Sequence, residues 1–163
     1  MNAKYKIVVF CLSSLVFIGC DRATKNLAKI HLKDKDPVSW FHNTVRLEYV
    51  ENTGAFLSFG ESWSRPLSLW LFSILPLFFL SGFFVYALRR TDRMNIMEML
   101  PFTLIFSGGI GNIIDRIFFD RHVTDFMNLG ILNLRTGIFN FADVYVTTGI
   151  FILVFARIRK IEK

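Results

Sequence analysis

The chain has 163 residues, 53% of them hydrophobic and 19 of them Phe, with a formal net charge of +6 and a mean hydropathy of +0.43. That is too apolar for an ordinary soluble domain. Charged residues make up 20% of the chain but cluster, leaving uncharged windows of spanning length; the positive balance then reflects membrane topology and anionic headgroups and requires no nucleic acid.

In chain order, Lys4 and Lys6 precede an apolar run from Ile7 to Gly19, followed by Cys20. Two readings compete here: a lipoprotein signal peptide cleaved before Cys20, or a first membrane helix that stays. Phe17 stands where a lipobox favours an aliphatic residue, and a lipid tether is pointless on a chain with three further spans. The expectation is a retained span over about residues 7–27, with Cys20 a small apolar helix residue. Cys11 lies about 13 Å away along such a helix at ~1.5 Å per residue, too far to bridge. With no other cysteine there is neither a disulfide framework nor a thiolate metal site. Asp21 and Lys25, four apart, suit a helix-end ion pair.

Residues 28–65 form the first long loop. Val45, Leu47 and Tyr49 alternate with Arg46 and Glu48, the period of a half-buried strand. Asn52 and Gly54 signal a turn, and residues 56–59 are expected to return as a second strand. Trp40, Trp63 and Trp70 suit a membrane–water boundary. Three more spans follow, about 66–88, 98–119 and 137–157, each long enough for a hydrocarbon core of roughly 30 Å. Lys4, Lys6, Arg89, Arg90, Arg93, Arg157, Arg159, Lys160 and Lys163 fall on one side, which the positive-inside rule makes cytoplasmic. The expected fold is an all-α membrane protein: four transmembrane helices in a single domain, 1–163, with a small extracytoplasmic β element and both termini inside.

A carboxylate within an apolar helix is expensive and faces the bundle or a wet cavity. Asp115 and Asp143 qualify, and Asn112 and Asn140, each three residues earlier, can share a face with them. Asp125 follows span three at the outer edge where Asp143 opens span four, so the two can meet there. Paired carboxylates share a proton, and one can then activate water while the other polarises a carbonyl. Plainer readings stand beside these. Asp115 can pair with Arg116, the stripe of Ser107, Gly108, Gly111 and Asp115 can serve helix packing, and His122 can be a solvated loop histidine. Zinc-peptidase and serine-hydrolase signatures are absent, and no Lys between Lys35 and Lys160 is available for a Ser–Lys dyad. A transporter would show internal repeats or more spans.

Five motifs in order carry a resemblance. The chain has "DRATK" at the end of span one, "ENTGAF" in the first loop, "GGIGNIIDR" in span three, then "VTDF" and "FNFAD". Together they resemble the lipoprotein signal peptidase family, signal peptidase II, bacterial membrane aspartic peptidases that remove signal peptides from prolipoproteins. The resemblance implies catalytic Asp125 and Asp143, with Asp21, Lys25, Asn52, Gly54, Asn112, Arg116 and Asn140 binding substrate or supporting the dyad. Gly108, Gly111 and Asp115 would be structural. Neither metal nor cofactor is implied. The implied substrate is a diacylglyceryl-modified prolipoprotein, cut just before its lipidated cysteine at the outer leaflet of the bacterial inner membrane. The implied enzyme is a monomer that contacts membrane lipids and is blocked by globomycin-type inhibitors. The family often has a second Ala where this chain has Phe56, and a small hydroxyl residue where it has Val144. The competing class is a non-catalytic four-helix transporter or assembly subunit.

Overall fold

The computed structural model describes residues 2–54, 59–60, 62–132 and 134–161. Phe56, the residues 56–58 expected to begin a return strand, and Lys163 lie outside them. Helix α1 (Ala3–Leu32) is followed by β1 (Val38–Trp40) and β2 (Val45–Asn52). A second crossing runs from α2 (Arg65–Leu69) through one π-helical segment (Trp70–Ile74) into α3 (Leu75–Arg90). After α4 (Ile96–Phe118) come β3 (Val123–Ile131) and β4 (Leu134–Arg135), and α5 (Phe141–Ile161) ends the fold.

Four helical stretches, Ala3–Leu32, Arg65–Arg93, Ile96–Phe118 and Phe141–Ile158, are long and apolar enough to cross a membrane. Their outward faces are apolar too: Leu15, Val16, Phe78, Phe79 and Phe155 are all more than half exposed, as lipid-facing residues are. α1 is longer than the expected 7–27. Its 30 residues measure about 45 Å at ~1.5 Å each, so its last turns run beyond the hydrocarbon and pack beside β2 and β3. The π segment sits immediately before Pro76, whose ring cannot donate to the preceding turn; a register change there absorbs the lost bond. α5 starts at Phe141, four residues later than expected, because Asn140 caps it.

Lipid is as apolar as a leucine side chain, so packing and polar contacts hold the helices together rather than hydrophobic exclusion. α4 is central, packing on α1, α3 and α5. Phe10, Ala87, Met99 and Phe102 form a core towards one end, with Phe10 and Phe84 rings 5.7 Å apart and Phe83 and Phe102 rings 4.8 Å apart. At that end Lys6, almost fully buried, donates to the carbonyls of Thr91 at 3.0 Å and Met94 at 2.7 Å. A Cβ at Gly108 would collide with the Ala142 carbonyl and lie 2.8 Å from Val146 Cγ2, so the small residue permits the α4–α5 contact.

The β element differs from the expected hairpin of the first loop. It is a four-stranded antiparallel sheet ordered β1-β2-β3-β4, drawn from both loops at the same end of the bundle. β2 pairs with β3, Val50 opposite Asp125 and Asn52 opposite Val123, and the register shifts between Leu47 and Val50. On the other side of β3 the Phe126 and Met127 amides both donate to the Phe139 carbonyl, a bulge in β3 that lets the adjacent Asp125 and Phe126 both be buried.

Candidate active site

The end of the bundle that carries the sheet gathers the polar residues. Phe139 forms an isolated bridge to Met127, donating to its carbonyl at 2.8 Å and accepting from Phe126 and Met127 at 3.1 and 2.9 Å. This bridge delivers the next residue, Asn140, to Asp125. Asn140 is fully buried and its Nδ2 donates to Asp125 Oδ1 at 2.6 Å and to Asn112 Oδ1 at 3.2 Å. It also caps α5 reciprocally. Its Oδ1 accepts from the Asp143 amide at 3.1 Å, while its own amide donates to Asp143 Oδ2 at 3.0 Å. That is a capping box with Asp in place of Glu. One asparagine therefore touches both carboxylates.

The remaining oxygens are also held. Asn52 Nδ2 donates to Asp125 Oδ2 at 3.2 Å, and Asn112 Nδ2 donates to Asp143 Oδ1 at 2.8 Å. The Gly54 amide donates to Asn52 Oδ1 at 2.9 Å, and the Gly54 carbonyl accepts from Arg116 Nη2 at 3.0 Å. Arg116 also returns to the Asn112 carbonyl at 3.2 Å. Burial, and next the neighbouring Asp143 carboxylate, push the Asp125 carboxyl up from 3.8 to about 6, against the pull of Asn52 and Asn140. Asp125 thus holds a proton well into the range where an ordinary aspartate has lost it.

Asp115 does not pair with Arg116, the neighbour expected from sequence. Side chains one apart on a helix diverge by about 100° and face different surroundings. Asp115 instead reaches α1, where it pairs with Arg22 and, at 2.8 Å, with Lys25. Lys25 also pairs with Asp21 at 2.8 Å, the expected i,i+4 contact, and donates to Asn112 Oδ1 at 3.1 Å. Asn112 and Asp115 thus converge on Lys25 without bonding each other. Asp21 accepts from the Ala142 amide at 3.0 Å, at the N-terminus of α5, where backbone N–H groups favour an anion. Gly111 makes room for it, since a Cβ there would lie 2.8 Å from Asp21 Oδ2. Asp21, Lys25 and Asp115 are essentially inaccessible. They lock α1, α4 and α5 together directly behind the Asp125–Asp143 pair.

Sequence reading missed Arg22. Its only signal was a charge inside an apolar stretch, a flag in itself. It missed, too, that Asn140 is a cap and not a helix-interior residue. His122 is half-buried beside β3, with Nδ1 3.2 Å from the Phe119 carbonyl. Val144 follows the second aspartate on the first turn of α5, its amide donating to the Asn140 carbonyl at 3.3 Å.

The arrangement combines two carboxylates in hydrogen-bonded asparagine frames, the Asp125 carboxyl pushed up to about 6, at the membrane-edge end of a helical bundle. A family model described as signal peptidase (SPase) II matches residues 13–159. The lipoprotein signal peptidase of Borreliella burgdorferi (strain ZS7) is 38% identical over 158 residues, covering 91% of this chain and 89% of its own. That of Xylella fastidiosa (strain M12) is 36% identical over 145 residues, covering 87% and 83%. Two solved bacterial membrane enzyme structures, obtained by the in meso method at 2.3 and 1.9 Å, share the fold with TM-scores of 0.74 and 0.73. They cover 94% and 92% of this chain and 89% and 92% of theirs, and at 23% and 24% identity their likeness bears on the fold alone. Family model and relatives converge on the same answer, and the chain belongs to the signal peptidase II family.

Proposed function

We propose that the chain is an aspartic endopeptidase that removes signal peptides from diacylglyceryl-modified prolipoproteins, cutting just before the lipidated cysteine, with Asp125 and Asp143 as the catalytic pair. The observation that carries the reading is Asn140, whose side chain bonds Asp125 while its amide and side chain bond Asp143. The two carboxyls are thereby fixed about a common point.

In this reading Asp125, pushed up to about 6, carries a proton, hydrogen-bonds the scissile carbonyl oxygen and gives that proton to it as the tetrahedral diol forms. Asp143 takes a proton from water as the hydroxyl oxygen attacks the carbonyl carbon. The tetrahedral intermediate collapses when the proton held by Asp143 passes to the leaving amine of the cysteine. The Asp125 proton returns as the carbonyl re-forms, and the pair ends as it began. Asn52, Asn112 and Asn140 hold the carboxyl oxygens in place throughout. Arg116 anchors the Gly54 turn that borders the pair. The lipid tails of the substrate remain in the bilayer, where drawing them into water would be unfavourable.

The test is cleavage of a lipid-modified lipobox peptide by purified protein, with and without globomycin. Asp125→Asn and Asp143→Asn should each lower turnover at least about a thousandfold, roughly 4 kcal/mol of barrier, while still folding and binding globomycin. Near-normal cleavage by either variant would overturn the pair.

A further inference from the structure

At the end of the bundle away from the carboxylates, the helices enclose a cavity of about 580 Å³. α4 packs on both α3 and α5, and residues of all three line the space, so it forms a slot over α4. Its floor is apolar, with Phe102 and Leu153, exposed Ala156 lies at its edge, and its rim carries Arg90, Arg93 and Arg157. All three arginines are exposed, and among the described residues no carboxylate forms an ion pair with them. The acidic residue on the rim, Glu98, is occupied elsewhere: its carboxylate accepts from the Asn95 amide at 2.9 Å in the capping box that starts α4. The Arg90 guanidinium lies 5.6 Å from the centroid of the Tyr86 ring on the cavity wall.

Three arginines against one carboxylate, above an apolar slot, call for a ligand with an anionic head and an apolar tail. We propose that the slot binds one anionic glycerophospholipid, its phosphate among Arg90, Arg93 and Arg157 and an acyl chain lying over Phe102 and Leu153. Guanidinium groups present forked N–H donors matched to phosphate oxygens, and the tail stays in apolar surroundings. A general preference for basic residues on one side of the membrane accounts for their sign, but not for an apolar slot beneath them. A signal helix is the poorer occupant, because signal peptides carry basic N-terminal ends that Arg90, Arg93 and Arg157 would repel. The proposal stands independently of the peptidase reading.

Native mass spectrometry of the detergent-solubilised full chain, titrated with phosphatidylglycerol or with phosphatidylcholine of the same chains, tests it. Phosphatidylglycerol should be retained at least about tenfold better. Arg90→Gln with Arg157→Gln, a change at two exposed unpaired residues, should remove about tenfold of that affinity. Ala156→Trp, obstructing the slot from its edge without altering charge, should lower it similarly. The control Lys4→Gln with Arg89→Gln removes two charges from the same end without touching the slot and should change retention less than twofold. Equal retention of the two lipids, or an equal loss in the control, would reduce the feature to a diffuse basic surface and overturn the proposal. Displacement of the lipid by soluble glycerol phosphate would show a bare anion site, and displacement by a signal peptide would assign the slot to substrate; either result overturns it too.

Discussion

Asp125 illustrates what burial does to one carboxyl. Its folded value is raised from 3.8 to about 6, so the folded chain binds this proton more tightly than the unfolded chain. Stability attached to the group is therefore fully present below about pH 4 and is lost as pH rises through 6. At neutral pH the loss is about 3 kcal/mol, at ~1.36 kcal/mol per unit. Asp125→Asn should accordingly be more stable than the parent at pH 7, with the gain shrinking towards pH 4, as melting curves across that range would show. The gain should fall short of the full amount, because the amide NH2 at that place would face a donor of either Asn52 or Asn140. Asp115 should behave oppositely. Asp115→Asn strips Arg22 of its carboxylate and leaves buried Lys25 with Asp21 as its one ion-pair partner, a loss of about 3 kcal/mol, near the low end for a broken buried pair. A thermal shift measured with and without globomycin would show it, and unchanged stability would refute the three-helix lock. The residues at this scale were largely legible, since charges inside apolar stretches announce themselves. Their partners were not, because pairing across helices depends on rotation about each helix axis, which a single sequence does not display.

Among the elements, α5 depends most on one side chain. Replacing an N-cap asparagine by alanine costs about 1–2 kcal/mol, and Asn140 also fills acceptors on Asp125 and Asn112. Asn140→Ala should therefore lose more stability than a simple cap and lower turnover at least about a hundredfold. Asn140→Asp keeps the cap but sets a third carboxyl beside two, so it should retain helix stability better than activity; circular dichroism melts and peptide cleavage on both variants separate the effects. The four spans were readable from apolar length, although 66–88 alone among them is free of charge, and β2 from the alternation of Val45, Leu47 and Tyr49. β3 was unreadable because its buried residues, Val123, Asp125, Phe126 and Asn128, break the two-residue period at the bulge and are partly polar. A strand whose face builds a reactive site lacks the apolar stripe by which strands are found.

For the whole molecule, the two connections at residues 33–64 and 119–140 lie at one end with the sheet, and the α3–α4 connection at the other. With Lys4, Lys6, Arg89, Arg90, Arg93 and Arg157 at the latter end, we propose that it is cytoplasmic. Reporter fusions at residue 163 and within 50–60 should be active inside and outside respectively; an externally active fusion at residue 163 would sink the arrangement.

The ion pair between Asp21 and Lys25 bears on how such a protein is made. Arg22 waits 93 residues for Asp115, and Asp21 waits 121 for the Ala142 amide. During that interval α1 lacks both α4 and α5, carrying charges towards a medium that penalises them. Because Asp21 and Lys25 stand four apart and meet at 2.8 Å, the helix brings a counterion for Lys25 before α4 and α5 exist. Assembly then becomes an exchange of partners: a contact that chaperones the first helix on its own is widened, once α4 and α5 arrive, into the junction that holds the finished bundle.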